Sequence, residues 1–477
     1  MDLHGRRIIY TDVDEITDDN VIAVLSQAMP VHNQNRAEIQ YLYDYYKGKQ
    51  PILYRKKEIR EDICNKIVEN IANEIVTFKV GYLMGKPIQY ICRGSGDEKT
   101  LSDAVITLND YMYAEDKATK DTALVEWNHI CGTAYRMILP DPDDEADEAP
   151  FEIYTLDPRN TFVVYHSGLG NKPIMGVRYV TRSDGLTAYS VYTKNRHYEL
   201  MYDGVLDFKD VTPVPELFVT SEYHIYGDIP IIEYPANNAR LGAFEIVLPL
   251  LDALNNVASN RLDGVEQFIQ SLLVLKGVDI DIPMSEIKEA GGLKIPLEGD
   301  AFYLAQELNQ TQTQTLVDDT YQTILVICGM PNRNGGSSTS DTGNAVIMRD
   351  GWSDAEARAA ASEDIFKISE RRFLRLALNI ANTYRNLNLK LYNIEPQFTR
   401  RHYEHIESKA QVLISMLACD KIHPRLAYEY CGMFTDPDLA YTQSAAYHEE
   451  RKAEIVNELN NFANSETAAA QAATEDV

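Results

Sequence analysis

The chain has 477 residues, too many for one compact core, and its 45% hydrophobic and 25% charged residues are ordinary for a folded protein. A formal net charge of −27, from 45 basic and 72 acidic residues, argues against tight phosphate binding by a single chain. The six cysteines have no metal-binding spacing, and we find no signal peptide or membrane-length apolar run, so we expect a soluble intracellular protein without a metal site.

Apolar periodicity predicts helices over 15–47, 58–84 and about 102–129, with the strand-like PIQYIC (87–92) between the last two. From Gly132 the period changes to two, and six short β-branched and aromatic runs predict strands that end with GDIPIIEYPANN (227–238). The acidic stretch 141–148 lacks the glycine and final glutamate of a calcium loop, so we expect a solvated hairpin tip.

The second half of the chain predicts long helices. One covers 243–273 and should bend at Pro249, a compact break follows at 274–305, and helix resumes at about 308–327. After a polar, glycine-bearing loop, a very long helix starts at about Asn344 and runs toward Asn386. A strand within 394–403 and helices through 410–417, near 424–432 and over 437–462 follow, and the tail is expected to be disordered.

Catalytic motifs are weak. The polar loop lacks the lysine and the GxxxxGK[ST] spacing of a Walker A motif, and it follows a helix rather than a strand. His402 and His405 have no plausible third ligand nearby, and Asp279 with Asp281 fits a polar strand face better than a catalytic carboxylate pair. We therefore expect no enzyme activity, no cofactor and no metal.

The order of elements predicts an α+β architecture: a mixed lobe, two long helices around a small insertion, a polar loop, and a very long helix that returns to the lobe. A long exposed helix cannot bury its apolar stripe alone, so neighbouring subunits must cover it. Head-to-tail association of such subunits closes into a ring when the rotation allows.

Four motifs, in this order and spacing, resemble the portal proteins of tailed bacteriophages, in the siphophage branch typical of Gram-positive hosts. They are LDPRNTFVVY, IMGVRYV, the long IPIIEYPANNARLGAFEIVLPLLDALNNVASNRLDGVEQFIQSLLVLKG, and MPN followed by GNAVIMRDG. The resemblance covers about residues 30–460. It implies a portal-type fold and a ring of about twelve subunits at one capsid vertex, through which double-stranded DNA is packaged and ejected.

The resemblance also implies a division of the chain. Its parts are an N-terminal arm (1–29), an α/β wing (30–242 with 375–402), two stem helices (243–273 and 307–329), a clip (274–306), a tunnel loop (330–345), a long helix that returns to the wing (346–402), a helical crown (403–463) and a disordered tail (464–477).

Two sets of site residues follow from the resemblance. The tunnel loop would line the DNA channel with Asn332, Arg333, Asn334, Gly335, Gly336, Ser337, Ser338, Thr339, Ser340, Asp341 and Thr342. The clip would dock terminase and head-completion proteins through Asp279, Asp281, Glu286, Lys288 and Glu289.

The composition of the tunnel loop agrees with this role. Between Pro331 and Ala345 it contains one basic residue, Arg333, and one acidic residue, Asp341, so its formal charge is zero. A lysine there would be repeated around the ring and would hold the DNA phosphates. Gly335, among other glycines, lets the backbone change conformation as the duplex moves.

The expected partners are further copies of the chain, the terminase large subunit, head-completion or adaptor proteins, the major capsid and scaffolding proteins, and DNA in transit that is not tightly bound; no membrane is expected. The protein would assemble in the host cytoplasm and reside in the virion. Two other classes stay open: a phosphate- or nucleotide-binding enzyme that uses the Gly/Ser-rich loop, and another capsid or neck ring protein. Particle mass and electron-microscope views distinguish all three.

Overall fold

The computed structural model describes residues 5–58, 61–93, 98–141, 149–183, 186–203, 218–269, 272–276, 300–304, 310–332, 351–399, 406–434 and 437–475. The chain divides into two compact units. The first comprises Met1–Leu83 with Tyr111–Leu387, and the second comprises Met84–Asp110 with Asn388–Val477. Helices and sheets both occur, so the protein has the predicted α+β class.

The helices are α1 (Val21–Tyr46), α2 (Ile71–Leu83), α3 (Glu98–Ala114), α4 (Lys117–Cys131), α5 (Leu248–Ile269), α6 (Gln310–Cys328), α7 (Trp352–Arg385), α8 (Ile406–Leu417), α9 (Pro424–Cys431) and α10 (Pro437–Glu475). Short 3-10 helices cover Pro51–Tyr54, Glu245–Val247 and Leu391–Asn393. No described helix is both long enough and apolar enough to cross a membrane.

The strands are β1 (Ile9–Thr11), β2 (Gln89–Cys92), β3 (Thr133–Pro140), β4 (Phe151–Leu156), β5 (Thr161–His166), β6 (Pro173–Thr181), β7 (Leu186–Tyr192), β8 (Arg196–Asp203), β9 (Phe218–Tyr223), β10 (Ile231–Pro235), β11 (Leu272–Lys276), β12 (Asp300–Leu304) and β13 (Ile394–Gln397). Among the described residues they form sheets in the orders β1-β5-β6-β7-β8-β9, β10-β3-β4, β11-β12 and β13-β2. β1 pairs with β5 in parallel, with Ile9 opposite Val164, and the other pairs are antiparallel.

The main core of the first unit lies between α1 and one face of the large sheet. Val24, Leu25 and Met29 of α1 are at most 2% exposed and pack against inward-facing strand residues such as Phe162 and Val177. β7 shows the predicted alternation of buried and more exposed residues, whereas β5 is buried on both faces because a second cluster with Val163 and Tyr165 packs on its other side. Apolar burial of this kind is the main force that holds the helix on the sheet.

The second unit contains the β13–β2 pair and the helices α8 to α10. Ile394 lies opposite Cys92, and the side-chain amide of Asn109 bridges the backbone of Tyr90 by donating to its carbonyl and accepting from its N–H. α8 packs against α9, and α9 packs against α10. The predicted strand and three helices in this part of the chain are confirmed.

The predicted helix over 58–84 is wrong in its first half, because α2 starts only at Ile71. Asn70 has a φ of +49°, which interrupts a right-handed helix, and the preceding residues are extended. The apolar spacing of Ile63 and Ile67 therefore comes from an extended segment that packs on a helix.

The predicted helix over 102–129 is two helices, since Asp116 has a φ of +48° between α3 and α4. Pro249 does not bend a helix, because α5 begins at Leu248 and a proline in the first turn loses no hydrogen bond. Leu273, predicted as helical, lies in strand β11.

The ends of the last helices also differ from expectation. α7 begins at Trp352, after Gly351 with a φ of +83°, whereas we predicted helix from about Asn344; residues 344–350 lie outside the described part. α10 continues to Glu475, although we expected disorder from 464, because its alanine-rich end has strong helix propensity. His402, His405 and the acidic residues 142–148 also lie outside the described part.

Candidate functional site

The predicted site residues lie almost wholly outside the described part of the chain. Of the tunnel-loop set only Asn332 is described, while the ten residues from Arg333 to Thr342 are not. All five clip residues, Asp279, Asp281, Glu286, Lys288 and Glu289, are also outside. What the structure does describe is the base from which each of these two segments emerges.

The base of the clip segment is a two-stranded ladder. β11 and β12 pair antiparallel, with Leu272 opposite Leu304 and Lys276 opposite Asp300. Residues 277–299 therefore leave and return at adjacent positions, as expected of a compact insertion between two helices.

The tunnel-loop segment also leaves and returns at one place. An ideal Cβ on Gly351 would lie 3.8 Å from Cα of Pro331, so the two ends of 333–350 are in contact. On the outgoing side, the amide of Asn332 donates to Oε1 of Gln322 at 2.9 Å. We call residues 329–332, 351 and 352 the loop base.

The turn that ends α6 is fixed by a glycine and an arginine. Gly329 has a φ of +64° and donates its N–H to the carbonyl of Val326 at 3.2 Å. Arg358 of α7 donates to the carbonyls of Ile327 at 2.7 Å and Val326 at 3.3 Å. A cation at a helix C-terminus satisfies free carbonyls and opposes the helix dipole, so α7 holds the end of α6.

The start of α7 is held by aromatic residues of α2. The ring of Trp352 lies 6.1 Å from those of both Phe78 and Tyr82, and Phe78 and Tyr82 stack at 5.7 Å. The hydroxyl of Tyr82 donates to Glu356 at 2.7 Å. α2 therefore fixes the point at which the chain re-enters α7.

Three titratable groups near the loop base are shifted toward their neutral forms. Burial lowers the pKa of Lys79, and Arg358 lowers it further, while Cys328 and Asp354 oppose the shift. Burial raises the pKa of the Cys328 thiol to about 11. Burial, with a smaller contribution from Lys79, lowers the pKa of His129 to about 3.

These shifts decide what chemistry the loop base can perform. A thiol with a pKa of about 11 is almost entirely protonated at neutral pH and is a poor nucleophile. Its sulfur lies 3.7 Å from the carbonyl oxygen of Ala243, which is consistent with a structural role. Among the described residues, no group of three or more His, Cys, Asp or Glu side chains could hold a metal.

A polar ladder holds α5 in place. Three side chains of α5, four residues apart, accept backbone N–H groups of an extended segment, two residues apart. The pairs are Asn65 with Asp263 at 2.7 Å, Ile67 with Ser259 at 3.0 Å, and Glu69 with Asn255 at 3.0 Å. The spacings match because four helical residues rise about 6 Å and two extended residues span about 6.6 Å.

α6 is largely uncovered over its first two thirds. No residue from Thr311 to Thr323 is buried, whereas Ile324, Leu325 and Cys328 near the loop base are at most 3% exposed. Contact with α5 includes the guanidinium of Arg261, which donates to Gln314 at 2.9 Å. A helix this exposed gains little stability from its own chain.

α7 is anchored in the first unit by a buried ionic cluster. The side chains of Lys117, Asp121, Arg136 and Glu370 are at most 3% exposed, and two cations face two carboxylates. Lys117 contacts Asp121 at 2.7 Å and Glu370 at 2.9 Å, and Arg136 contacts both acids. The hydroxyl of Tyr234 also donates to Glu370 at 2.8 Å. This cluster connects α4, β3, β10 and α7.

Sequence reasoning missed both Arg358 and this cluster. The four charged residues of the cluster look like ordinary surface charges on amphipathic elements, and nothing local signals that they meet. A signal was present for the turn, since Gly329 directly follows the apolar end of α6, where a C-terminal glycine is common.

Comparison with known proteins identifies the family. The model of phage portal proteins of the SPP1 Gp6-like type matches residues 27–458. The match covers most of the chain, and the chain therefore belongs to this family, which confirms the resemblance found in the sequence.

The chain is also similar to a curated portal protein and to solved structures, of which one is described below. The chain is 21% identical to the portal protein of Bacillus phage SPP1 over 277 residues, which are 55% of this chain and 52% of the relative. The chain thus spans about half the length of the curated relative it matches. A chain from the neck of an empty GTA particle is 11% identical, with a TM-score of 0.42 over 76% of this chain and 90% of that chain.

Proposed function

We propose that the chain assembles into a ring of about twelve copies at one vertex of a phage capsid, and that double-stranded DNA passes through its channel during packaging and ejection. The observation that carries this proposal is membership of the phage portal family over residues 27–458. The alternative of a nucleotide-binding enzyme receives no support from these matches.

Ring assembly is supported by the uncovered helices α5 and α6. Leu316 and Val326 of α6 are 53% and 70% exposed, and Leu262 and Val265 of α5 are 38% and 39% exposed. Exposed apolar side chains along two packed helices favour burial against another subunit. We assign α5 and α6 to the stem, as the resemblance implies.

The channel role is supported by the way in which the 333–350 segment is mounted. Its ends are fixed by Arg358 on one side and by Trp352 on the other, so the residues between them are presented from a rigid base. The loop residues from Asn332 to Thr342 carry one positive and one negative charge. A near-neutral polar surface contacts DNA phosphates without holding them.

We further propose that the protein has no catalytic activity and that the energy for packaging comes from a partner, the terminase large subunit. The groups near the loop base support this, because burial raises the pKa of Cys328 and lowers that of His129, so neither group is poised for nucleophilic or base catalysis near neutral pH.

Terminase and the head-completion proteins would dock on the clip, and capsid and scaffolding proteins would surround the ring in the assembling virion. We expect charge reversal at Glu286, Lys288 and Glu289 to weaken capture of purified terminase while leaving the ring intact. The matched control reverses Lys194, Glu199 and Glu222, which makes the same net charge change at exposed positions far from the clip in sequence. Unchanged terminase capture by a folded ring would remove the clip residues from the proposal.

The decisive experiment is the mass of the purified full chain by light scattering, with electron-microscope views of the same sample. We expect a ring with a central channel and a mass of about twelve times 54.0 kDa. A compact monomer at all concentrations, or a monomer that hydrolyses nucleotide, would refute the proposed function.

A further inference from the structure

Two segments of opposite charge flank α1. The acidic segment, residues 12–19, contains five acidic residues and no basic one: Asp12, Asp14, Glu15, Asp18 and Asp19. The basic segment, residues 47–57, contains five basic residues and no acidic one: Lys47, Lys49, Arg55, Lys56 and Lys57. The first ends just before α1 begins at Val21, and the second begins just after α1 ends at Tyr46.

The acidic segment is an ordered, exposed surface. All five of its acidic residues are exposed. Asn20 orders the turn, because its side-chain Oδ1 accepts from the backbone N–H of Thr17 at 2.8 Å and its side-chain Nδ2 donates to the backbone carbonyl of Glu15 at 2.9 Å. Asp14 is 97% exposed and lies 3.2 Å from the ring of His166. Asp18 pairs with Arg196 and Asp12 accepts from the hydroxyl of Ser167, so the exposed acids stand on a fixed backbone.

The basic segment is equally well ordered. Ile52 is 5% exposed, and the buried amide of Gln50 donates to the carbonyl of Tyr45 at 3.3 Å and to Asn70 at 3.1 Å. Arg55 and Lys57 turn inward to Asp263 of α5 at 3.2 and 2.5 Å. The backbone of this segment is thus fixed on α5.

Three lysines of the basic segment, Lys47, Lys49 and Lys56, remain on the surface. Lys49 pairs with Asp44 at 3.1 Å, but its side chain is still 61% exposed. Within the described part of the chain, Lys56, Glu15 and Asp19 have no ion-pair partner. Both segments therefore present charge that the described residues leave unpaired.

We propose that the basic segment of one subunit docks on the acidic segment of the next copy of this chain. The inference rests on the proposed ring. A head-to-tail ring needs two different, complementary surfaces on every subunit, and a self-complementary patch would close a dimer instead. Two ordered segments of opposite sign, one with three surface lysines and the other with exposed carboxylates, meet that requirement, and such complementarity selects partner and register.

The distance between the two segments predicts the diameter of the ring. α1 has 26 residues, so the two segments are separated by about 40 Å at 1.5 Å per residue. If they meet between neighbours, adjacent subunits are displaced by about that distance. Twelve such steps give a ring about 150 Å across at the level of α1. A ring much narrower than this could not bring the two segments together.

The test reverses the charge of each segment in the full chain. Variant one carries Lys47→Glu, Lys49→Glu and Lys56→Glu, and variant two carries Asp12→Lys, Glu15→Lys and Asp19→Lys. For each variant alone, we expect the concentration at which half of the chains are assembled to rise about a hundredfold or more, because the attraction between the two segments becomes repulsion. A one-to-one mixture should restore rings, since each segment then meets its opposite.

The control has the same charge change as variant one elsewhere in the first unit: Arg178→Glu, Arg182→Glu and Arg371→Glu, all at exposed positions. It should assemble like the wild type. Circular dichroism confirms that every variant is folded, and mass photometry reports assembly.

Three results overturn the inference. The first is that either reversed variant forms rings of unchanged mass. The second is that the mixture fails to assemble although both components are folded. The third is that variant one forms normal rings that no longer bind a DNA fragment. The last result would assign the basic segment to DNA. All three leave the portal ring itself standing, whereas a wild-type chain that never assembles refutes the proposed function instead.

Discussion

Replacing Glu370 with Gln tests whether the buried cluster anchors α7. The change leaves Lys117 and Arg136 with a single carboxylate, Asp121, among side chains that are at most 3% exposed. An uncompensated buried charge costs about 3–5 kcal/mol. The first unit has about 360 residues, which gives an unfolding entropy of roughly 0.76 kcal/mol/K and a loss of about 4–7 °C in the melting temperature.

A second variant separates charge imbalance from loss of packing. Lys117→Met alone should also destabilise the unit, but Lys117→Met combined with Glu370→Gln leaves one cation, Arg136, facing one carboxylate, Asp121. We expect the double variant to lose only about 1–2 kcal/mol, much less than the sum of the single losses. Calorimetry of the full chain measures all three variants. Additive losses would refute the view that charge balance stabilises this cluster.

Three further predictions follow from the same contacts. Burial lowers the pKa of His32 to about 3, so His32 takes up a proton on unfolding below about pH 6.5, and the free energy of unfolding falls as the pH falls. His32→Gln should therefore reduce the fall in the free energy of unfolding between about pH 6.5 and 5.5 by about 1 kcal/mol, as measured by urea titration. A fall as large as in the wild type would contradict this. Gly329→Ala should cost about 1–3 kcal/mol in thermal unfolding, because its Cβ would lie 2.2 Å from Cδ of Arg358, and the cost should shrink in an Arg358→Ala background. Rings with Ser338→Lys and Thr339→Lys should assemble normally but stall DNA movement in a packaging assay. Rings with asparagine at both positions should package DNA normally. Normal packaging by the lysine variant would contradict the channel assignment.

Local patterns in the sequence were enough to predict most elements. Short β-branched and aromatic runs placed six strands between Thr133 and Asp203 correctly, although β3 and β5 are buried on both faces rather than one. The uninterrupted helix formers after Trp352 likewise predicted α7 up to Arg385. These patterns depend only on neighbours in the chain.

Features that depend on distant partners could not be predicted in the same way. The stretch before α2 has helical spacing, but its N–H groups bond to Asn255, Ser259 and Asp263, about 190 residues away in sequence. Arg358 is one of many charged residues on α7, and only the fold brings it to the end of α6. The contacts that fix the loop base were thus not predictable from local patterns, and the tunnel-loop and clip residues, which lie outside the described part apart from Asn332, stay a prediction.

A loop that contacts moving DNA has two opposed requirements. It must yield at its tip, or it would obstruct the duplex, and it must be held firmly at its base, or the force on it would pull α6 and α7 apart. The loop base meets the second requirement with directional contacts: Arg358 on the last carbonyls of α6, and Trp352 against the aromatic face of α2. The ionic cluster at Glu370 extends this anchorage to α4 and the β10-β3-β4 sheet. Because α7 carries Trp352, Arg358 and Glu370, the proposed channel role implies that a load on the loop would pass along one helix into the core of the first unit, and weakening the cluster should then affect the loop although it lies about 18 residues away.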